Sequence, residues 1–193
     1  ITASTVASDI PALSRSSRPA SGSRNSGKSS GPSTSRSAIT GTARLEEQVT
    51  PEGVKEVTVE LKVQGLPDGK HAVHIHEVGA CEPCSAAGGH HDPGPAGQSR
   101  PDSAMDTIPA TDINHPFHMG DLINLDVRNG VGALRHTTNR VTLAPGRLSV
   151  FDADGSAIVV HTQADTYCDE ESDLKKGCAG GAREACGIIR LVK

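Results

Sequence analysis

An all-β fold, an antiparallel sandwich or barrel, is predicted by three features of the sequence. Apolar and polar side chains alternate over short runs, turns rich in Gly and Pro separate those runs, and no segment sustains a 3.6-residue period over three turns. The first strand is expected from Ala38 to Leu45. The second, Val57 to Val63, sets Val57, Val59, Leu61 and Val63 against Thr58, Glu60 and Lys62 without error, the pattern of a strand buried on one face. It runs into Gly65-Leu66-Pro67-Asp68-Gly69, a turn. Ala72 to Glu77, Leu122 to Val127, Val131 to Arg135, Ala157 to His161 and Gly187 to Val192 complete the set. Between two of them stands Asn129-Gly130, a pair that a type I′ hairpin turn selects because both central residues need positive φ. These seven strands are one short of a closed eight-stranded barrel. The missing edge must come from the Ser-rich N-terminal stretch or be supplied otherwise, and no segment nominates itself.

The core has to be built from Val, Ile, Leu and Ala, because the 193 residues hold no Trp and only Phe117, Phe151 and Tyr167 as aromatics. That is too few for a stacking platform, so no nucleic-acid partner is expected. No run approaches the roughly 18 apolar residues that cross a bilayer, so no membrane span is expected either. The N-terminus lacks a charged-then-apolar leader, and a start without Met fits a processed or truncated chain. Charge divides the sequence. Residues 1–37 carry Arg15, Arg18, Arg24, Lys28 and Arg36 against Asp9 alone, among thirteen Ser, whereas the rest is net acidic. The first segment reads as a disordered Ser/Gly/Arg-rich tail or linker, with contact to an anionic surface as the lesser reading, and 38–193 as the folded domain.

Most of the nine His cluster between 71 and 118. His74 and His76 stand two apart on a predicted strand and project to one face, close enough to converge on one metal; His71 has the opposite parity and reads as structural. An H-x-H alone is a weak signal. It gains weight from Gly88-Gly89-His90-His91-Asp92-Pro93 in a loop, His118-Met119-Gly120-Asp121, and Val159-Val160-His161 at a strand end. Imidazoles from separated segments suit copper or zinc, and the carboxylate is compatible with zinc. His136 falls outside these motifs and reads as a surface residue.

Together His71-Ala72-Val73-His74-Ile75-His76-Glu77, Gly88 to Pro93, His118 to Leu122, Ile158 to His161 and Gly181-Ala182-Arg183-Glu184-Ala185-Cys186-Gly187 resemble the copper/zinc superoxide dismutases, in that family's order, over about residues 38 to 193. The resemblance implies an eight-stranded Greek-key β-barrel with a metal-binding loop and a charged loop. It implies copper on His74, His76, His90 and His161, with His90 bridging to zinc, and zinc on His118 and Asp121. Asp165 would orient a metal-binding His through its other ring nitrogen. Arg183 would dock the superoxide anion, and Lys175 and Lys176 would help to steer it against Asp169, Glu170, Glu171 and Asp173. The implied reaction takes two superoxide anions and two protons to dioxygen and hydrogen peroxide.

One departure stands out. The family's further zinc His, about eight residues after the bridge, meets Ala96-Gly97-Gln98-Ser99 here. His115 is the first substitute and His91 the second; failing both, the zinc site is defective and the protein copper-only. Two rival functions remain open, a copper-delivery protein and a non-catalytic interaction module. Residues 1–37 contain no Cys, His or Met, which counts against the first.

Five Cys leave at least one thiol over in a monomer. By resemblance, Cys186 pairs with a Cys of the metal loop. Cys84, six residues before His90, is favoured over Cys81, and Cys168 and Cys178 could close the charged loop. A redox or zinc role for Cys81-Glu82-Pro83-Cys84 lacks a second C-x-x-C. Disulfides point to a secreted or periplasmic setting. A homodimer is compatible with the sequence, which neither requires nor excludes it.

Overall fold

The computed structural model describes residues 6–10, 14–15, 39–93, 118–167 and 178–192. Ten strands form two antiparallel sheets: β1 (Val6–Ile10), β2 (Ser14–Arg15), β3 (Thr40–Val49), β4 (Lys55–Gln64), β5 (Gly69–His71), β6 (Val73–His76), β7 (Leu125–Arg128), β8 (Val131–Thr138), β9 (Ala157–His161) and β10 (Arg183–Ile188). Their order is β1-β3-β4-β8-β7-β5 in one sheet and β2-β10-β9-β6 in the other. No α-helix occurs among the described residues; a 3-10 turn covers Cys84–Ala87.

Alternation decides the larger sheet. On β4, Val57, Val59, Leu61 and Val63 are buried while Glu60, Lys62 and Gln64 face solvent, and β3 and β8 pair with it residue for residue. The inward side chains join Leu45, Ile75, Leu125, Val127, Leu134, Ile158, Val160 and Ile189 in one core. Asn129 and Gly130 take φ of 52° and 73° and close the β7–β8 hairpin, as their identities predict.

The smaller sheet breaks the alternation rule, and the reason matters for the site. All of β6 and β9 is buried. Val73, Ile75, Ile158 and Val160 face the main core, whereas Ala157 and Val159 pack on the other face under Cys84, Ala87 and Cys186. Both faces of this sheet are therefore covered, one by the core and one by the loop after β6.

Two strand bounds are corrected, and two further strands appear. Strands form at 6–10 and 14–15: β1 pairs with β3, Val6 opposite Glu47, and β2 with β10. Alternation did not reveal them, because Val6-Ala7-Ser8-Asp9-Ile10 breaks the two-residue period and Ser14-Arg15 is short and polar. The last strand is Arg183–Ile188 rather than Gly187 to Val192, since pairing to β9 sets its register. Strand β7 begins at Leu125 because the chain before it is tied to β6 and to Asp165.

Glu47 is a buried charge with a structural task. Its Oε2 accepts the N–H groups of Leu143 (2.6 Å) and Ala144 (3.0 Å), and Lys55 Nζ lies 3.6 Å from Oε1, so it pins the β8–β9 connection to β3. Glu47→Ala strands two backbone donors and is expected to cost about 2 to 4 kcal/mol. Glu47→Gln, which keeps an acceptor, should cost clearly less; chemical denaturation of the two variants checks the difference.

Candidate metal centre

Register places the chemistry on one face. His74 lies opposite Val159, His76 opposite Ala157, and Arg183 opposite His161, so the outer face of the smaller sheet presents His74, His76, His161, Arg183 and Cys186. The free edge of β6 is occupied by two loop segments. His76 bridges to His90 and His74 to Asp121, while Ile75 accepts the His91 N–H (2.9 Å) and donates to Gly120 (2.8 Å). This edge pairing carries His90 and Asp121 to the histidine face. Gly120 is required by the close approach, for a Cβ there would strike the Ile75 carbonyl.

Two donor groups result, His74-His76-His90-His161 and His90-His118-Asp121, each with its ligand atoms within 4.8 Å of one another. His90 belongs to both. Ring centroids lie 4.1 Å apart for His74 and His90, 4.8 Å for His74 and His161, and 4.9 Å for His76 and His90. Every ring is oriented through one nitrogen. His74 Nε2 meets Asp165 Oδ2 at 2.9 Å, which turns Nδ1 to His161 Nε2 at 3.2 Å. His76 Nδ1 donates to the Gly88 carbonyl (3.1 Å), and His161 Nδ1 to that of Gly181 (2.9 Å). His90 Nδ1 is 2.8 Å from Asp121 Oδ1. Asp121 Oδ2 accepts the backbone N–H of His118 and sits 3.0 Å from its Nδ1.

Burial lowers the pKa of three of these rings, His74, His76 and His161, and so favours their neutral form. Desolvation, reinforced by neighbouring imidazoles, takes His74 down to about 4 against the opposing pull of Asp165, and His161 to about 3. His76 is likewise held well below its ordinary value by desolvation and by His90. Neutral imidazoles keep their lone pairs for a cation. The nitrogen His76 does not use, Nε2, is buried with no hydrogen-bond partner among the described residues. An orphan of that kind beside three more imidazoles fits a copper ion, and two imidazoles with a carboxylate fit zinc.

Arg183 is anchored by carbonyls, Nη1 to Cys84 (2.9 Å) and Nη2 to Gly88. Gly88 thereby serves both Arg183 and His76. Burial lowers the Arg183 pKa somewhat and Glu77 opposes that. Glu77 in turn accepts the Gly89 N–H at 2.6 Å. Cys84 and Cys186 form a disulfide with Cα atoms 5.8 Å apart, which ties this loop to β10. Cys81 is a free thiol, the one among the described residues, its pKa pushed up to about 11 by burial and Glu82. Cys178 is also disulfide-bonded. Cys168, its expected partner, lies outside the described residues, as do Lys175, Lys176 and His115.

His71 faces away, as its parity predicts, and bonds the carbonyls of His161 (2.7 Å) and Pro67 (2.9 Å). His91 is corrected as a substitute zinc ligand: adjacent to His90 on an extended segment, it turns its ring the other way, Nδ1 toward Ser156 Oγ at 3.5 Å. Burial lowers it to about 4. Sequence reading missed three supports. Asn124 clasps the Asp165 backbone at both ends (2.9 and 2.8 Å), the Gly88 carbonyl serves two side chains, and Arg140 reaches the His118 carbonyl. Only Asn124, a polar residue inside an apolar run, left a trace in the sequence.

Residues 39–189 match the family model described as copper/zinc superoxide dismutase. The chain is 36% identical over 155 residues to superoxide dismutase [Cu-Zn] A of Xenopus laevis, covering 78% of this chain and 89% of that protein. It is 33% identical over 165 residues to a superoxide dismutase [Cu-Zn] of Deinococcus radiodurans (80% and 79%). With the extracellular superoxide dismutase [Cu-Zn] of Drosophila melanogaster it shares 33% over 140 residues (71% and 69%). Among solved structures it is similar in fold to the clock protein EA4, with TM-score 0.60 and 23% identity, over 100% of this chain and 97% of that one.

Proposed function

The chain belongs to the copper/zinc superoxide dismutase family, and from that premise we propose how its own residues serve the reaction. The activity is the conversion of two superoxide anions and two protons to dioxygen and hydrogen peroxide, with copper and zinc as cofactors. His74, His76, His90 and His161 would hold copper; His90, His118 and Asp121 would hold zinc. The observation that carries this reading is the convergence of three buried imidazoles, His74, His76 and His161, and the half-buried His90 beside Arg183 at one sheet face. For the fourth zinc position His115 is the first substitute by sequence; failing it, the zinc site is defective and the protein copper-only. The four histidines of the copper group favour an enzyme over a delivery protein or an inert module.

Copper, when bound, supplies a one-electron couple that accepts an electron from one superoxide and returns it to the next. The protein does the rest. Asp165 and the Gly88 and Gly181 carbonyls fix each ring's usable nitrogen before any metal arrives. With Nδ1 of His90 at Asp121 Oδ1, Nε2 is the atom that holds and delivers a proton on the copper side. Arg183, held by two carbonyls that cannot neutralise it, binds the anion and offsets charge on the forming product.

Further architecture is part of the proposal. β1 and β2, like β5 and β6, are consecutive stretches that pair in opposite sheets, and counting each pair as one bent strand supports an eight-stranded Greek-key barrel. The dismutase domain of this reading runs over 38–193, and the edge strands at 6–10 and 14–15 add to its sheets. The disulfide and the extracellular Drosophila relative support secretion or a periplasmic setting.

Arg183→Ala tests the reading. Dismutation at low salt should fall about 100-fold, the scale for one preorganised charge, with copper content unchanged and the decline of rate with ionic strength flattened. A rate and salt dependence equal to wild type would remove Arg183 from the reaction.

A further inference from the structure

Arg140 stands just past β8, outside every motif of the metal centre, yet it touches the zinc half of it. Its Nη2 donates to the backbone carbonyl of His118. The base of the side chain is fixed as well: the Arg140 N–H donates to Thr138 Oγ1 at 3.1 Å, and Thr138 is buried at the end of β8. The His118 carbonyl receives a second donor, the Asp121 N–H at 3.1 Å, so a single oxygen joins the barrel wall to the turn that carries two ligand side chains.

We propose that Arg140 is a positioning residue for zinc, holding the His118–Asp121 turn in register with His90 through the His118 carbonyl. The inference rests on the reading of His90, His118 and Asp121 as zinc ligands. Three observations carry it. Asp121 is the hub of the half-site, with one carboxylate oxygen at His90 Nδ1 and the other at His118, so a rotation of the turn shifts two donors relative to His90. The turn is followed by Leu122 bonded to Val73, which secures its far end, whereas Arg140 secures its near end. The described residues supply three donors for a metal that prefers four, so correct placement of those three counts for more than it would in a full cage. Guanidinium is suited to the task because it stays charged and presents several N–H groups to a carbonyl.

Removing a partner that orients a ligand typically weakens metal binding by about 10- to 100-fold. Arg140→Ala is therefore expected to weaken zinc by at least about 10-fold in competition with a chelator, with copper retention unchanged. The visible spectrum of the cobalt-substituted site should shift. Arg140→Lys, which keeps a cationic donor, should restore most of the affinity and the spectrum, a rescue that loss of general stability would not show. Wild-type zinc affinity in Arg140→Ala, or a loss that Arg140→Lys does not repair at equal apo-protein Tm, overturns the proposal. Absence of zinc binding in the wild-type protein overturns instead the reading of the three ligands.

Discussion

His161→Ala is expected to leave a folded protein that retains little copper and dismutates superoxide no faster than solution does. The side chain ends β9, where its main chain is held by Ala72 (2.9 Å) and its ring by Gly181, so truncation removes a donor and leaves the scaffold standing. The loss extends to His74, whose Nδ1 loses the 3.2 Å contact with His161 Nε2. Metal content by mass spectrometry and the dismutation rate should fall together. A variant that still turns over superoxide at a comparable rate would show that the four histidines do not form the reactive centre.

Cys186→Ser is expected to have the largest effect on stability. The Cys84–Cys186 bond spans 102 residues, and closing a loop of that size is worth about 4 to 5 kcal/mol in the chain-entropy model. It also clamps the Cys84 and Gly88 carbonyls over β10, the two acceptors that hold Arg183. The variant should therefore lose several kcal/mol in equilibrium unfolding and, at temperatures where it is folded, lose activity as Arg183 slackens. Equal loss in wild type treated with reductant would trace both effects to the bond. A variant as stable and active as wild type would remove the disulfide from this account.

What could be read from the sequence follows physical type. Where a strand has one wet face, as β4 has, alternation locates it; where it is covered on both faces, as β9 is, an unbroken apolar run serves equally well. β1 and β2 are illegible because Val6-Ala7-Ser8-Asp9-Ile10 does not alternate and Ser14-Arg15 is too short to show a period, and β10 is hard to place because Arg183 and Glu184 look like loop residues. The two-residue spacing of His74 and His76 and the scattered His90, His118, Asp121 and His161 pointed to one centre, and the register brings those side chains together. Family-type spacing favours Cys84 over Cys81 only slightly, since either lies within reach of a loop; the pairing itself depends on the 3-10 turn that buries Cys84 against β10. Carbonyl acceptors such as Gly88 are invisible in principle, because every residue has one.

The most direct test of the central claim is the dismutation rate and the copper content measured on one purified sample reconstituted with graded amounts of copper. The rate should rise in proportion to bound copper and level off at one copper per chain. Full copper occupancy without dismutation, or dismutation that does not depend on copper, would contradict it.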